Sequence, residues 1–189
     1  MPTEYVIKKR PKESKARIFE NDNQIAVIEK NDGFGFRLTR HKDKMNWILS
    51  NVVDGERRPF SYAVQEVDSA ESGKTSAGRV VLVVRDQLFE HEGKIYMLAN
   101  HPEGKAWMDY VHSKIRYISR LDNFPYRKLS EIDHDHYKFR HKIKRFRGTP
   151  VGQATGLAQE EGHRVNLVDE LSDVGLFVAV VSYLLYASG

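Results

Sequence analysis

The sequence contains no cysteine. This absence excludes a disulfide-stapled scaffold, catalysis by a thiolate, cysteine-ligated zinc and S-acylation. Glycine and proline are also scarce, with 13 and 6 residues among 189, which excludes a fibrous or low-complexity chain. The first residues are charged rather than apolar, so we expect no secretion signal and predict a reducing, cytoplasmic location.

The composition is that of a folded protein, with 40% hydrophobic and 30% charged residues. The formal net charge of +4 comes from residues 1–17, which hold six cations and two acids, so the remaining chain is neutral. We therefore predict a basic, loosely ordered N-terminal arm over residues 1–16 and a single domain over residues 17–189. Such an arm is either simply solvated or attracted to a polyanion.

Residues 137–147 break the neutrality of the body, because they contain six cations and no acid. With a period of two, one face carries Tyr137 and Phe139, and the other carries a row of four cations. This pattern predicts a half-buried strand whose outer row binds an anion or, alternatively, protects a sheet edge from aggregation. The six cations are Lys138, Arg140, Lys142, Lys144, Arg145 and Arg147.

Short apolar or alternating segments bounded by turn residues recur along the chain. They predict strands at 25–30, 34–39, 47–53, 60–67, 80–84, 94–98, 151–157 and 164–168. Residues 106–118 fit a helix or a strand equally well. Many short strands joined by turns indicate a mainly β fold, either a barrel or a sandwich.

Residues 174–187 carry no charge and are apolar on all sides. A helix of this kind must be enclosed by protein or by lipid. About fifteen helical residues span roughly 22 Å, whereas a bilayer core of about 30 Å requires about 20 apolar residues. We therefore predict a buried core helix and no transmembrane span.

Three segments carry a resemblance to a known family. They are RIFENDNQIAVIEK as an early hairpin, KIKRFRGTPVGQATG as a strand–turn–strand unit, and HRVNLVDELSDVGLFVAVVSYLLYASG as a final strand and core helix. In this order they resemble the Tubby C-terminal-like superfamily, which includes the phospholipid scramblases and the LURP-one-related proteins. The resemblance covers residues 17–189. It implies a closed antiparallel β-barrel of about twelve strands around the buried C-terminal helix.

The resemblance also implies a function without catalysis. Tubby-type domains hold phosphoinositide head groups on surface lysine and arginine side chains, so the six cations of residues 138–147 become the expected site for an acidic phospholipid or other polyanion at a membrane surface. The cysteine-rich stretch and acidic calcium loop of the scramblases are absent, which argues against lipid translocation. Two alternatives stay open: a nucleic-acid-binding accessory protein, and a structural or interaction domain without a ligand.

Two short motifs resemble a phosphate-binding loop and a metal site, but neither has the residues that such a site requires. Residues 72–75 end like a phosphate-binding loop, but the required earlier glycine is missing and a strand is predicted to follow. His134 and His136, with His141 nearby, lack a third ligand at a defined spacing, so a polar turn explains them. We predict no catalytic residues, no metal site and no cofactor; a lipid- or nucleotide-processing hydrolase has no motif to support it.

Overall fold

The structure is a computed structural model of the 189-residue chain. It describes residues 2–31, 34–53, 55–58, 61–68, 76–100, 115–133, 148–157 and 161–187. Within these ranges most of the chain is β-structure, and the last described segment is helical.

Fourteen strands are described. They are β1 (Thr3–Lys9), β2 (Lys15–Glu20), β3 (Asn23–Lys30), β4 (Phe36–Arg40), β5 (Asn46–Ser50), β6 (Val52–Val53), β7 (Glu56–Arg57), β8 (Tyr62–Asp68), β9 (Ser76–Val84), β10 (Leu88–His91), β11 (Lys94–Asn100), β12 (Ile115–Arg120), β13 (Thr149–Leu157) and β14 (Glu161–Leu167). Two 3₁₀-helices span Leu129–Glu131 and Asp169–Val174, and one α-helix, α1, spans Gly175–Ala187.

Twelve of the strands form one antiparallel sheet in the order β10-β11-β12-β13-β14-β1-β2-β3-β4-β5-β8-β9. Its two edges, β9 and β10, follow one another in the chain and are joined by an antiparallel bridge between Arg85 and Leu88. The sheet is therefore a nearly closed barrel, which confirms the predicted barrel of about twelve strands. The short β6–β7 hairpin forms a separate two-stranded sheet.

The interior of the barrel is filled by α1 and by alternate side chains of the strands. Phe177 of α1 meets Trp47 of β5 edge to face, with ring centroids 5.0 Å apart. Because a helix without a polar stripe has no face to offer water, the barrel encloses it on every side. This confirms the predicted core helix. The helix buries Leu176, Phe177, Val178, Ala179, Val180, Val181, Ser182, Leu184 and Leu185.

A second apolar cluster lies on the outer face of β10 and β11. The 3₁₀-helix Leu129–Glu131 and its flanking loop cover this face, so these strands are apolar on both sides. This explains the nearly continuous apolar run of residues 94–98. The cluster consists of Leu88, Ile95, Met97, Leu121, Leu129 and Ile132.

The predicted N-terminal arm is wrong. Residues 3–9 form β1, which pairs with β14 on one side and β2 on the other. Tyr5 and Ile7 are 4% and 0% exposed in the core. The charge count over residues 1–17 concealed this short apolar stretch, which is long enough to fill one strand of a barrel wall.

Other local predictions are refined by the structure. The predicted strand 47–53 is interrupted at Asn51 into β5 and β6. Ile115–Arg120, at the end of the ambiguous segment 106–118, is strand β12. Residues 101–114, the phosphate-loop-like residues 72–75 and the basic segment 137–147 lie outside the described residues. In the described ranges, no helix combines the length and hydrophobicity that a membrane crossing requires.

Gly175 opens α1 where the helix passes closest to β1. A Cβ atom at this position would lie 2.7 Å from the hydroxyl oxygen of Tyr5 and 3.3 Å from its ring. Tyr5 is buried, so neither partner moves freely. The start of the helix therefore requires a residue without a side chain.

We predict that Gly175→Ala lowers the free energy of unfolding by about 1–2 kcal/mol, because overpacking outweighs the better helix propensity of alanine. Gly156→Ala is the matched control, since a Cβ there meets nothing within 4 Å. Urea denaturation of both variants measures the difference. Equal stability of the two variants would contradict the proposed close contact.

Candidate functional site

The two ends of the barrel differ in how their polar groups are used. We call the end where α1 begins the lower end and the end where α1 finishes the upper end. The antiparallel register brings Lys9, Lys30 and Phe36 to the upper end, where β1 and β3 finish and β4 begins. The same register brings Tyr5 and Glu20 to the lower end.

A pocket of about 390 Å³ opens at the upper end. Three aromatic side chains and three aliphatic ones form its wall, and two lysines and one carboxylate contribute the charged groups. This combination of an apolar wall with a few polar groups is typical of small-molecule sites. The lining residues are Lys9, Ser14, Ala16, Ile28, Glu29, Lys30, Phe36, Tyr62, Tyr183 and Leu184.

Two described acids near this pocket, Glu29 and Glu13, are already paired. Glu29 lies 3.6 Å from Lys15, and Glu13 lies 3.3 Å from Arg17 and 3.8 Å from Arg10. These partly exposed pairs contribute little to stability, but they neutralise the carboxylates.

Three lysines remain uncompensated around the pocket. Lys9 and Lys30 line it, and Lys12 lies in the turn between β1 and β2. Within the described ranges, none of the three has a carboxylate partner. Among the side chains that the structure describes, these three lysines therefore leave positive charge without an ion-pair partner at the upper end.

Two of the most exposed large hydrophobic side chains also lie at the upper end. Phe34, between β3 and β4, is 63% exposed, and Val52, just beyond β5, is 38% exposed. Isolated exposed apolar residues are common on soluble proteins. An exposed aromatic ring beside uncompensated lysines is, however, the combination that favours an interface between water and lipid.

The lower end has a pocket of about 460 Å³, in which four of the polar side chains bond to one another. The Tyr5 hydroxyl donates to Glu20 over 3.4 Å, and the side chains of Gln24 and His41 lie 3.1 Å apart. Burial, and then the charge of Glu20, raise the pKa of Tyr5 well above its usual value, so it stays a donor. These bonds join β1 to β2 and β3 to the turn after β4.

A hydrogen-bonded network at the lower end fixes the segment that leads into α1. Glu170 accepts from Arg120 at 2.8 and 3.1 Å and from the hydroxyl of Tyr96 at 2.7 Å. Arg120 also donates to Asp122 at 2.8 Å. The bond from Arg120, followed by that from Thr149, lowers the pKa of Asp122. Strands β11 and β12 are thereby tied to the 3₁₀-helix Asp169–Val174.

One histidine and one serine meet inside the barrel. His163 of β14 and Ser182 of α1 are 1% and 4% exposed, and His163 Nε2 lies 3.4 Å from Ser182 Oγ. Burial, and secondarily the charge of Arg116, lower the pKa of His163 to about 4. The pair is therefore a neutral, sealed contact that satisfies buried polar atoms, and no substrate reaches it while the barrel is intact.

The six cations predicted as the site, Lys138, Arg140, Lys142, Lys144, Arg145 and Arg147, lie outside the described residues. The structure instead brings Lys9 and Lys30 to one pocket and places Phe34 at the same end of the barrel, which sequence reasoning missed. The sequence did contain features that could have pointed to these residues, because both lysines end an apolar strand segment and Phe34 follows a turn. Nothing in the one-dimensional pattern shows that these positions meet around one pocket.

Comparison with known proteins adds no relative. No family model, no curated protein and no solved structure matches the chain significantly.

His163 makes stability depend on pH. Its pKa in the folded protein, about 4, lies below the ordinary value of 6.5, so the unfolded chain binds its proton first as the pH falls. This contribution to stability is complete above pH 6.5 and is lost as the pH falls towards 4. The loss amounts to at most about 3 kcal/mol.

We predict that His163→Asn flattens this dependence. Urea denaturation between pH 7.5 and 4 should show the wild type losing up to about 3 kcal/mol more than the variant. His41→Gln, which removes a histidine outside the core, should keep the wild-type slope. Parallel pH profiles for the wild type and His163→Asn would refute the assignment.

Proposed function

We propose that this protein is a non-enzymatic, Tubby-like barrel that binds acidic phospholipid head groups at a membrane surface, with its upper end facing the lipid. One observation carries the proposal. Lys9 and Lys30 line a pocket with an aromatic wall, and Lys12 and the exposed ring of Phe34 lie at the same end of the barrel. The barrel with its enclosed helix also supports the Tubby-like kinship, which remains part of the proposal.

The estimated free-energy contributions of these side chains favour reversible binding to a membrane. Each lysine near an anionic surface contributes about 1 kcal/mol, so the three contribute roughly 3 kcal/mol. Transfer of the Phe34 side chain out of water adds about 1.5–3 kcal/mol. Their sum, about 5 kcal/mol, corresponds to a weak peripheral attachment. Head-group contacts in the pocket or the cations of residues 138–147 must supply any tighter affinity.

The pocket suits the boundary between a head group and an acyl chain. Lys9 and Lys30 can pair with phosphate oxygens, while Phe36, Tyr62 and Tyr183 offer an apolar wall. A volume of about 390 Å³ accommodates a head group or part of an acyl chain, but not a whole phospholipid. We therefore expect most of the lipid to stay in the bilayer.

The basic segment of residues 138–147, the site predicted from the sequence, is the alternative lipid contact and implies a different orientation of the barrel. The described chain resumes after it at Gly148, against Ser119 and Arg120 of β12, at the lower end of the barrel. Charge reversal of the upper-end lysines and charge reversal in residues 138–147 therefore test different parts of the sequence.

We predict that the triple variant Lys9→Glu, Lys30→Glu, Phe34→Ser loses at least about tenfold in partitioning onto vesicles, because it reverses two attractive charges and removes the inserting ring. Vesicle sedimentation measures this, with phosphatidylcholine alone or mixed with phosphoinositide. The matched control is Lys42→Glu, Lys44→Glu, Val80→Ser, which changes two exposed lysines and one exposed valine away from the upper end. It should bind like the wild type.

A second variant replaces Lys138, Arg140, Lys142 and Lys144 by glutamate. If this variant and the upper-end triple variant both partition like the wild type, acidic lipid is not the ligand. If only the variant at residues 138–144 loses binding, the lipid ligand stands and the orientation of the barrel is wrong. Binding to oligonucleotides that falls steeply with salt, with no vesicle binding, would favour the nucleic-acid alternative.

A further inference from the structure

A histidine and two carboxylates converge at the lower end of the barrel, apart from the lipid-binding surface. His91 ends β10, Glu92 begins the turn to β11, and Asp173 lies in the 3₁₀-helix Asp169–Val174. One ligand atom from each of the three side chains lies within 4.8 Å of the others. His91 Nε2 and Glu92 Oε1 are 3.8 Å apart.

The imidazole lacks the partner that a buried nitrogen normally has. The side chain of His91 is 13% exposed, and its Nε2 atom is buried without a hydrogen bond. Most buried polar atoms in proteins are hydrogen-bonded, so an orphaned one requires an explanation. A bound cation that uses the nitrogen lone pair provides it.

The two carboxylates likewise lack a cation. Within the described ranges, neither Glu92 nor Asp173 pairs with a lysine or arginine, although their oxygens approach one another. Glu170, three residues before Asp173, is instead occupied by Arg120 and Tyr96. Of Glu170, Glu92 and Asp173, only Glu170 is therefore neutralised, and the carboxylates of the other two repel each other.

We infer that His91, Glu92 and Asp173 form a binding site for a divalent transition-metal ion of the Zn²⁺ or Mn²⁺ type. One imidazole and two carboxylates suit such an ion, whereas Ca²⁺ and Mg²⁺ prefer oxygen ligands alone. Zinc binds these ligands at about 2.0–2.2 Å, which places ligand atoms of one ion about 3–4 Å apart. The separation of 3.8 Å between His91 and Glu92 already meets this requirement.

Only a small movement of the side chains is needed for the three groups to bind one ion. Glu92 is 72% exposed, so its side chain can turn towards the ion, and water completes the coordination. The bound ion would link the β10–β11 turn to the segment that leads into α1. Strand β10 is one of the two edge strands at which the barrel closes. Because the unfolded chain does not hold these three groups together, binding should raise the melting temperature.

Calorimetric titration and thermal melts of the full chain, first stripped with EDTA, test the inference. We expect Zn²⁺ or Mn²⁺ to bind one to one and to raise the melting temperature, and Ca²⁺ and Mg²⁺ at the same concentration to have much smaller effects. His91→Gln with Asp173→Asn should weaken binding at least about tenfold, as loss of ligands does. The matched control, His41→Gln with Asp22→Asn, also removes one imidazole and one carboxylate, and should bind like the wild type.

Two results would overturn the site: no binding of either Zn²⁺ or Mn²⁺, or unchanged affinity in the His91/Asp173 variant. Zinc binding that disappears instead in His134→Gln with His136→Gln would assign the metal to that segment. The single variant Glu92→Gln, on an exposed turn residue, guards against a folding defect in the double variant. None of these outcomes depends on lipid binding, so the two proposals fail separately.

Discussion

The enclosure of α1 is the constraint on which the rest of the structure depends. The helix has apolar side chains on every side, so its burial requires a wall all the way round. Twelve strands provide that wall, and their alternation directs one set of side chains inward at each strand. The close contact of Gly175 with Tyr5 and the pairing of Ser182 with His163 are local consequences of the same fit.

This enclosure gives the two ends of the barrel different chemistry. At the lower end the chain enters the interior, so the lead-in segment must be held, and Glu170 is bonded to both Arg120 and Tyr96 for this purpose. At the upper end α1 ends, so no segment leading into the helix has to be held in place there. Some charged side chains there form ion pairs, such as Glu29 with Lys15, whereas Lys9 and Lys30 are left to face solvent or a ligand. The proposed lipid surface and the proposed metal site therefore lie at opposite ends of the barrel. The lipid surface uses Lys9 and Lys30, and the metal site lies beside the hydrogen bonds of Glu170.

The mainly β barrel around a helix is the architecture that the Tubby-like resemblance implied. Without a matching relative, the architecture alone does not specify a ligand, because one fold hosts many functions. The proposed membrane role therefore depends on the chemistry of the upper end: lysines without a carboxylate partner among the described side chains, an exposed aromatic ring and an apolar pocket. This chemistry is independent of the basic segment 138–147 from which the same ligand class was first predicted.

Local patterns determined much of this protein from its sequence. Alternation predicted β3, β4, β8 and β13 close to their observed bounds, and the uncharged C-terminal stretch predicted α1, because these features depend on neighbours a few residues away. The net charge counted over residues 1–17 concealed β1, since a strand needs only a few buried side chains when partner strands lie on both sides. The pocket at Lys9, Lys30 and Tyr183, and the cluster of His91 with Asp173, were decided by the tertiary structure alone. Their residues are far apart in the chain and meet only because strand register and barrel closure bring them to one end, and these are properties of the whole sheet rather than of any segment.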